Sequence, residues 1–305
     1  MNMKKLLSII AVVLSAALAL NATEPEKINY VTNTYPLSGF NGLDVSSVVD
    51  VRLRKSNDYF VQVSVPDALE KYLVVKVEGS VLKVGLKNAP QNITRNLKNW
   101  SIIADITMPE LTSLEMSGAT KFNCPDAFNI GQKTFNLDLS GASKITSLRF
   151  SSARFNADIS GASNLSITAN TSIADMELSG ASKGIFKINA HKMDLDISGA
   201  SKCSFTGEYK TLKMEVSGAA SLILNGKAEL FDAEIAGASK LAASDLIADD
   251  VKIELSGASK ASVYAAKSIS IDASGASSLR YTTPEGRDIT ANLREVSKSS
   301  SVRKE

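Results

Sequence analysis

The chain has one histidine, one tryptophan and two cysteines among 305 residues, and each shortage excludes a class of chemistry. The single imidazole, His191, has no partner histidine with which to form a metal site of ordinary spacing, and no Ser/His/Asp arrangement gathers around it. His191 reads as a surface residue of a connecting segment. An aromatic share of 6% leaves few rings for stacking nucleobases or sugars. Charge of one sign is lacking too: 34 basic and 32 acidic residues give a formal +2, with no basic excess to set against a phosphate backbone. No catalytic residue, no cofactor and no nucleic-acid partner are expected.

Long apolar runs are missing everywhere except residues 6–20, which follow Lys4 and Lys5 and contain Ala17-Leu18-Ala19. A basic start, an apolar stretch and an A-x-A pattern are the marks of a signal peptide, here residues 1–22. A membrane anchor is the alternative, but the run is short for spanning, and Glu24, Glu26 and Lys27 follow at once. The chain is thus expected to be exported, as a periplasmic, outer-surface or secreted protein with no membrane span after cleavage. Cys124 and Cys203 read as buried thiols. The repeat described next puts them four coils apart, about 19 Å at a strand spacing of about 4.8 Å, which is beyond disulfide reach.

What the chain has in abundance is repetition. Residues 111–281 hold nine copies of an S-G-A-S-K motif centred on Gly118, Gly141, Gly161, Gly180, Gly199, Gly218, Gly237, Gly257 and Gly275, spaced by 23, 20, 19, 19, 19, 19, 20 and 18 residues. Alanine follows the glycine in every copy. Two and four positions before the glycine every residue is apolar, as in Leu195 and Ile197, and between them lies an acid. This period of two marks a strand with one buried and one wet face. After the corner a second strand follows, with Ile145, Leu165, Cys203, Leu222 and Leu241 and then Ile167, Phe186, Phe205, Leu224 and Val263 as inward candidates. Small residues suit a corner that stacks on copies of itself, and glycine tolerates positive φ there. A period near 19 is too short for a propeller blade. The expected fold is all-β: a right-handed parallel β-helix of about nine 19–20 residue coils, each with two or three short strands.

The flanks are less regular. Residues 23–110 read as a β-rich module, with strands at 60–65, 72–77 and 81–86, a hairpin turn at Glu78-Gly79 and a polar loop over 88–98. Residues 282–305 read as a degenerate final coil and cap, with Lys298 in the glycine slot, and Ser47 fills the same slot near the other end.

The candidate site is the acidic column. Asp138, Asp158, Glu177, Asp196, Glu215, Glu234, Glu254 and Asp272, with Glu115 before them, would stack about 4.8 Å apart on one face. Stacked like charges need screening, pairing or metal. One reading is a calcium ladder of those eight carboxylates. The other is a solvated face balanced by Lys121, Lys144, Lys183, Lys202, Lys240 and Lys260 after the corner and by Lys213 and Lys252 two before an acid. Serines such as Ser140 and Ser143 read as corner residues bonded to backbone rather than nucleophiles.

The signal peptide, the β-rich leader with its Val49-Asp50-Val51 strand and the iterated motif at 140–144, 198–202 and 256–260 together resemble the putative auto-transporter adhesin head GIN domain family, over nearly all of the mature chain. The resemblance implies a β-helix-like fold and a surface or adhesive role, with no catalytic residues to transfer. The expected function is that of a non-enzymatic adhesin or cell-envelope interaction protein whose partner is a surface protein or polysaccharide. The alternative is a polysaccharide-binding or polysaccharide-degrading β-helix.

Overall fold

The computed structural model describes residues 28–305 except 98 and 287, so the expected signal peptide lies outside the described residues. The leading part contains β1 (Tyr30–Thr34), β2 (Gly42–Val45), β3 (Val49–Lys55), β4 (Phe60–Pro66), β5 (Leu73–Glu78), β6 (Val81–Leu86), α1 (Gln91–Asn96) and β7 (Ile102–Met108). The repeats form β8 (Ser113–Met116), β9 (Lys121–Asn129), β10 (Thr134–Leu139), β11 (Lys144–Ile159), β12 (Asn164–Leu178), β13 (Lys183–Ile197), β14 (Lys202–Val216), β15 (Ser221–Ile235), β16 (Lys240–Leu255) and β17 (Lys260–Ala273). The chain closes with β18 (Ser278–Thr282), β19 (Thr290–Val296) and β20 (Ser301–Lys304). Strand makes up 66% of the structure and helix 4%, wound as a parallel β-solenoid of about ten turns.

Each repeat pairs in parallel with the next, and the register carries the sequence columns with it: Asp138 beside Asp158, Glu177 beside Asp196, Gly184 beside Cys203. Alternation along each strand decides what enters the core. In β13 the inward set includes Phe186, Ile188, Met193, Leu195 and Ile197, all essentially buried. Phe186 and Phe205 stack at 4.7 Å between ring centroids, and Gly184 leaves the room, since a Cβ there would lie 2.2 Å from the Phe186 ring. Each buried aromatic contributes about 1.5–3 kcal/mol through surface removed from water. Cys124 and Cys203 are buried free thiols, and burial pushes both up to about 11.

The S-G-A corner is where backbone packs on backbone. The nine repeat glycines have φ between +68° and +88°, and Ser47 takes φ +80° at the start of the same stack. A Cβ on Gly199 would sit 2.4 Å from the Gly180 carbonyl oxygen. The alanine after each glycine donates its N–H to the carbonyl of the matching corner residue one coil below, Ser47 for Ala119 and a glycine for the rest, as in Ala200 to Gly180 at 2.8 Å, so the ladder crosses the turn.

Two details differ from the sequence reading. From β11 to β17 each coil is one continuous strand of 14–16 residues rather than two or three short ones, broken only at the corner. The mid-coil bend shows instead as a slip in alternation, with His191 and Lys192 both outward between Ala190 and Met193. Neighbouring strands bend together there: pairing skips the bend residue and resumes in the same register, as in Thr171 beside Ala190 and then Ile173 beside Lys192. The residue two after each glycine, meanwhile, is buried, a serine in seven copies, Thr120 in one and Ala220 in another, and the hydroxyls of Ser163, Ser182, Ser201 and Ser259 have no partner. Ser143 does bond the Ser140 carbonyl at 3.1 Å. Small volume under the corner, more than hydrogen bonding, is what selects this column.

The leading part is continuous with the solenoid. β2 pairs in parallel with β8, and β3 with both β7 and β9, while β1, β4 and β5 run antiparallel to their neighbours and finish that end. The hairpin turns at Gly79, φ +60°. Tyr72 ends a short 3-10 helix rather than starting a strand, and the polar loop contains α1 after Pro90, whose missing N–H costs nothing at a helix start.

Candidate functional site

The register extends the acidic column beyond the repeats. Asp44 lies beside Glu115, Glu115 beside Asp138, and the row runs through Asp158, Glu177, Asp196, Glu215, Glu234, Glu254 and Asp272 to Glu295. A second row, two residues earlier on each strand, holds Asp175, Asp194, Lys213, Asp232 and Lys252. The sequence reading picked out the two lysines of this row and overlooked its aspartates. Their signal was the same period of two that revealed the first row.

These rows line a groove of about 870 Å³ along one side of the rod, and a smaller hollow of about 390 Å³ continues it past Glu215, Glu234 and Glu254. Lysines divide the negative charge. Lys213 meets Glu215 at 2.6 Å, Lys252 meets Glu254 at 2.9 Å and Asp232 at 3.5 Å, Lys192 meets Asp194 at 2.5 Å, Lys83 meets Asp44 at 3.3 Å, and Arg154 pairs with Asp175. Exposed pairs of this kind contribute about 0–1 kcal/mol each, so they set the pattern of charge more than the stability. Where cations are sparse the acids feel one another. Burial raises the Glu115 carboxyl above its ordinary value, helped by Asp44 and Asp138 and opposed by Lys83, and burial with Asp158 does the same to Asp138.

The lysines after the corner behave differently from the expectation that they offset the acids. Lys121, Lys144, Lys183, Lys202, Lys240 and Lys260 are exposed and, among the described residues, none lies within ion-pair distance of a carboxylate. The corner separates them from the acidic rows. The rod therefore carries a mixed, mainly acidic groove before the corner and a basic stripe after it. Among the described residues no three carboxylate, histidine or cysteine side chains converge as a metal-binding cluster, and the eight carboxylates named for calcium stand in a row.

A second groove of about 540 Å³ lies at the mid-coil bend. It brings exposed His191 together with Asn170, Asn189, Glu208, Lys210 and Lys227. The Asn189 amide donates to the Asn170 carbonyl oxygen at 2.9 Å and accepts from the Glu208 N–H at 3.0 Å. Unlike the acidic rows, this lining changes chemistry from coil to coil. Tyr209 borders it with its ring buried and its hydroxyl unpartnered, and burial pushes that phenol well above its usual value.

Against known proteins, the family described as "Putative auto-transporter adhesin, head GIN domain" matches residues 39–184 and again 184–283. Among solved structures, a putative adhesin from Parabacteroides distasonis aligns at a TM-score of 0.52 and 17% identity, covering 91% of this chain and 98% of that one. A putative adhesin from Parabacteroides merdae aligns at 0.50 and 17% identity, covering 90% and 96%. At such identities the likeness is one of fold. No curated protein matches the chain.

Proposed function

Because the chain belongs to the putative auto-transporter adhesin, head GIN domain family, we propose that it is an exported, non-enzymatic surface-interaction protein whose charged groove is its contact face. The observation that carries this reading is the groove itself: two in-register rows of carboxylates and lysines along the rod, repeating with the coil. A mainly acidic lattice at about 4.8 Å intervals, with lysines set into its second row, suits an extended partner that makes many weak contacts, and avidity then supplies the affinity. The recurrence of each acid from coil to coil favours a scaffold over a single reacting centre. Residues 1–22 would direct export and be removed in the course of it.

The test is retention of the mature protein on envelope preparations and a glycan array, comparing wild type with the variant Glu177→Gln/Asp196→Asn/Glu215→Gln. Equal retention of both would remove the groove from the reading. Protease shaving of intact cells, with fractionation, tests the location. For the calcium ladder the expectation is an unchanged melting temperature in calcium and in chelator. A rise with calcium would assign the row to the ion.

A second reading, a polysaccharide-binding or polysaccharide-degrading protein, draws on the mid-coil groove, where His191, Glu208 and Lys210 stand together in columns whose residue changes from coil to coil. Turnover in a polysaccharide depolymerisation screen that His191→Ala abolishes would favour it.

A further inference from the structure

The two ends of the rod are finished differently. At the leading end the antiparallel strands β1, β4 and β5 cover the core, and although β1 and β5 are themselves edge strands, Phe40, Val61, Val63, Val65 and Leu69 are fully buried. At the other end the core columns run out into solvent. Leu293 lies beside Ile271 and Val296 beside Ala273, two fully or almost fully buried residues, yet Leu293 is 55% and Val296 39% exposed. Every residue of β19 is exposed, and its only strand partner among the described residues is β17. A strand edge and two core residues are thus left open together, which is an incomplete end for a solenoid.

β19 also has a self-complementary pattern. Ile271 lies beside Leu293 but Asp272 lies beside Glu295, so Arg294 is an inserted residue, a bulge. The insertion puts Leu293 and Val296 on the same inward face, with Arg294 and Glu295 between them. Turned end over end about a two-fold axis through the Arg294-Glu295 step, two β19 strands run antiparallel. Leu293 then faces the partner's Val296, and Arg294 faces the partner's Glu295. Residues opposite one another in an antiparallel pair share a face, so the apolar pair extends the core while the charges pair outside. A bulge and an arginine discourage arbitrary strands from pairing with this edge, and a second copy is the partner that matches both.

We propose that the protein forms a two-fold dimer through the exposed edge of β19, the two solenoids meeting at their C-terminal ends. The contact is isologous, so assembly stops at two copies. The double rod carries its charged grooves outward and its antiparallel ends at the tips.

Sedimentation velocity of the mature chain from 1 to 100 μM, on the order of concentrations that resolve a micromolar contact, provides the test. A concentration-dependent monomer–dimer equilibrium is expected. Arg294→Glu alone and Glu295→Arg alone, each placing like charges across the axis, should raise the dissociation constant by about ten-fold. The double variant Arg294→Glu/Glu295→Arg should restore it. Far-ultraviolet circular dichroism and a melting curve on each variant separate lost pairing from lost folding. A wild type that stays monomeric at the highest concentration, a dimer indifferent to either single reversal in folded protein, or species larger than a dimer would overturn the proposal.

Discussion

The S-G-A corner and the mid-coil bend are both turns in the same coils, and they are held under different constraints. At the corner, backbone stacks on backbone, and the space admits glycine, alanine and serine in nearly every copy. At the bend, side chains face a groove, and its outward positions vary freely: His191, Lys210, Glu229 and Asp249 succeed one another along the edge of one hollow. Identity from coil to coil therefore reports steric constraint, and variation reports freedom to differ in chemistry. One exception sharpens the rule. Gly207 and Gly226 lie side by side near the bend, Gly226 at φ +119°, and a Cβ on it would sit 1.9 Å from the Gly207 carbonyl oxygen. Backbone packs on backbone there as well, and glycine returns.

The largest effect is expected where that contact is forced. Gly199→Ala and Gly226→Ala should each lose about 3 kcal/mol or more in denaturant titration, combining left-handed strain with a clash against immovable backbone. Gly79→Ala, at φ +60° but with open space around it, should lose about 1 kcal/mol. Equal losses at 79 and 199 would break the distinction between strain and stacking. Next, Tyr209→Phe should stabilise by about 1 kcal/mol, because it removes a buried hydroxyl that has no partner. A loss of stability, read by thermal melting, would mean the hydroxyl is bonded in solution.

The surface charges should matter less. Lys213→Ala, which strips Glu215 of its cation, should lower the melting temperature slightly, whereas Lys210→Ala, which breaks no ion pair, should leave it unchanged. Smallest is Asp138→Asn. Burial and Asp158 hold the Asp138 carboxyl above its ordinary value of 3.8, so the native state binds more protons than the unfolded state just above that pH. The ionised group opposes folding at neutral pH, and the opposition fades as pH falls through its folded value. The variant should thus be more stable than wild type at pH 7 by about 0.5 kcal/mol or less, with the difference closing below about pH 4, as melting curves across that range would show.

Much of this was legible because a solenoid converts period into space. The inward columns headed by Ile145 and Ile167, the acid between Leu195 and Ile197, and Ser47 as the first member of the glycine stack could all be read by counting residues. Counting also reached the Lys213 and Lys252 ion pairs, since neighbours two apart on a strand share a face. It failed where neighbours are not related by the period. The lysines after the corner sit close in sequence to the acids before it, yet the turn sends the two rows to different faces. His191 looked solitary because the residues around it come from other coils.

By itself, then, the sequence determined the fold, the coil length, the occupant of each inward column and the existence of an acidic row, because each follows from alternation and repetition along one dimension. Tertiary structure alone decided which rows share a groove, which lysines find a carboxylate, that a strand continues through the mid-coil bend, and that one end of the rod covers its core while the other leaves Leu293 and Val296 in solvent. Those outcomes depend on where the chain turns and on what lies one coil away, and distance across coils is not written in the order of residues.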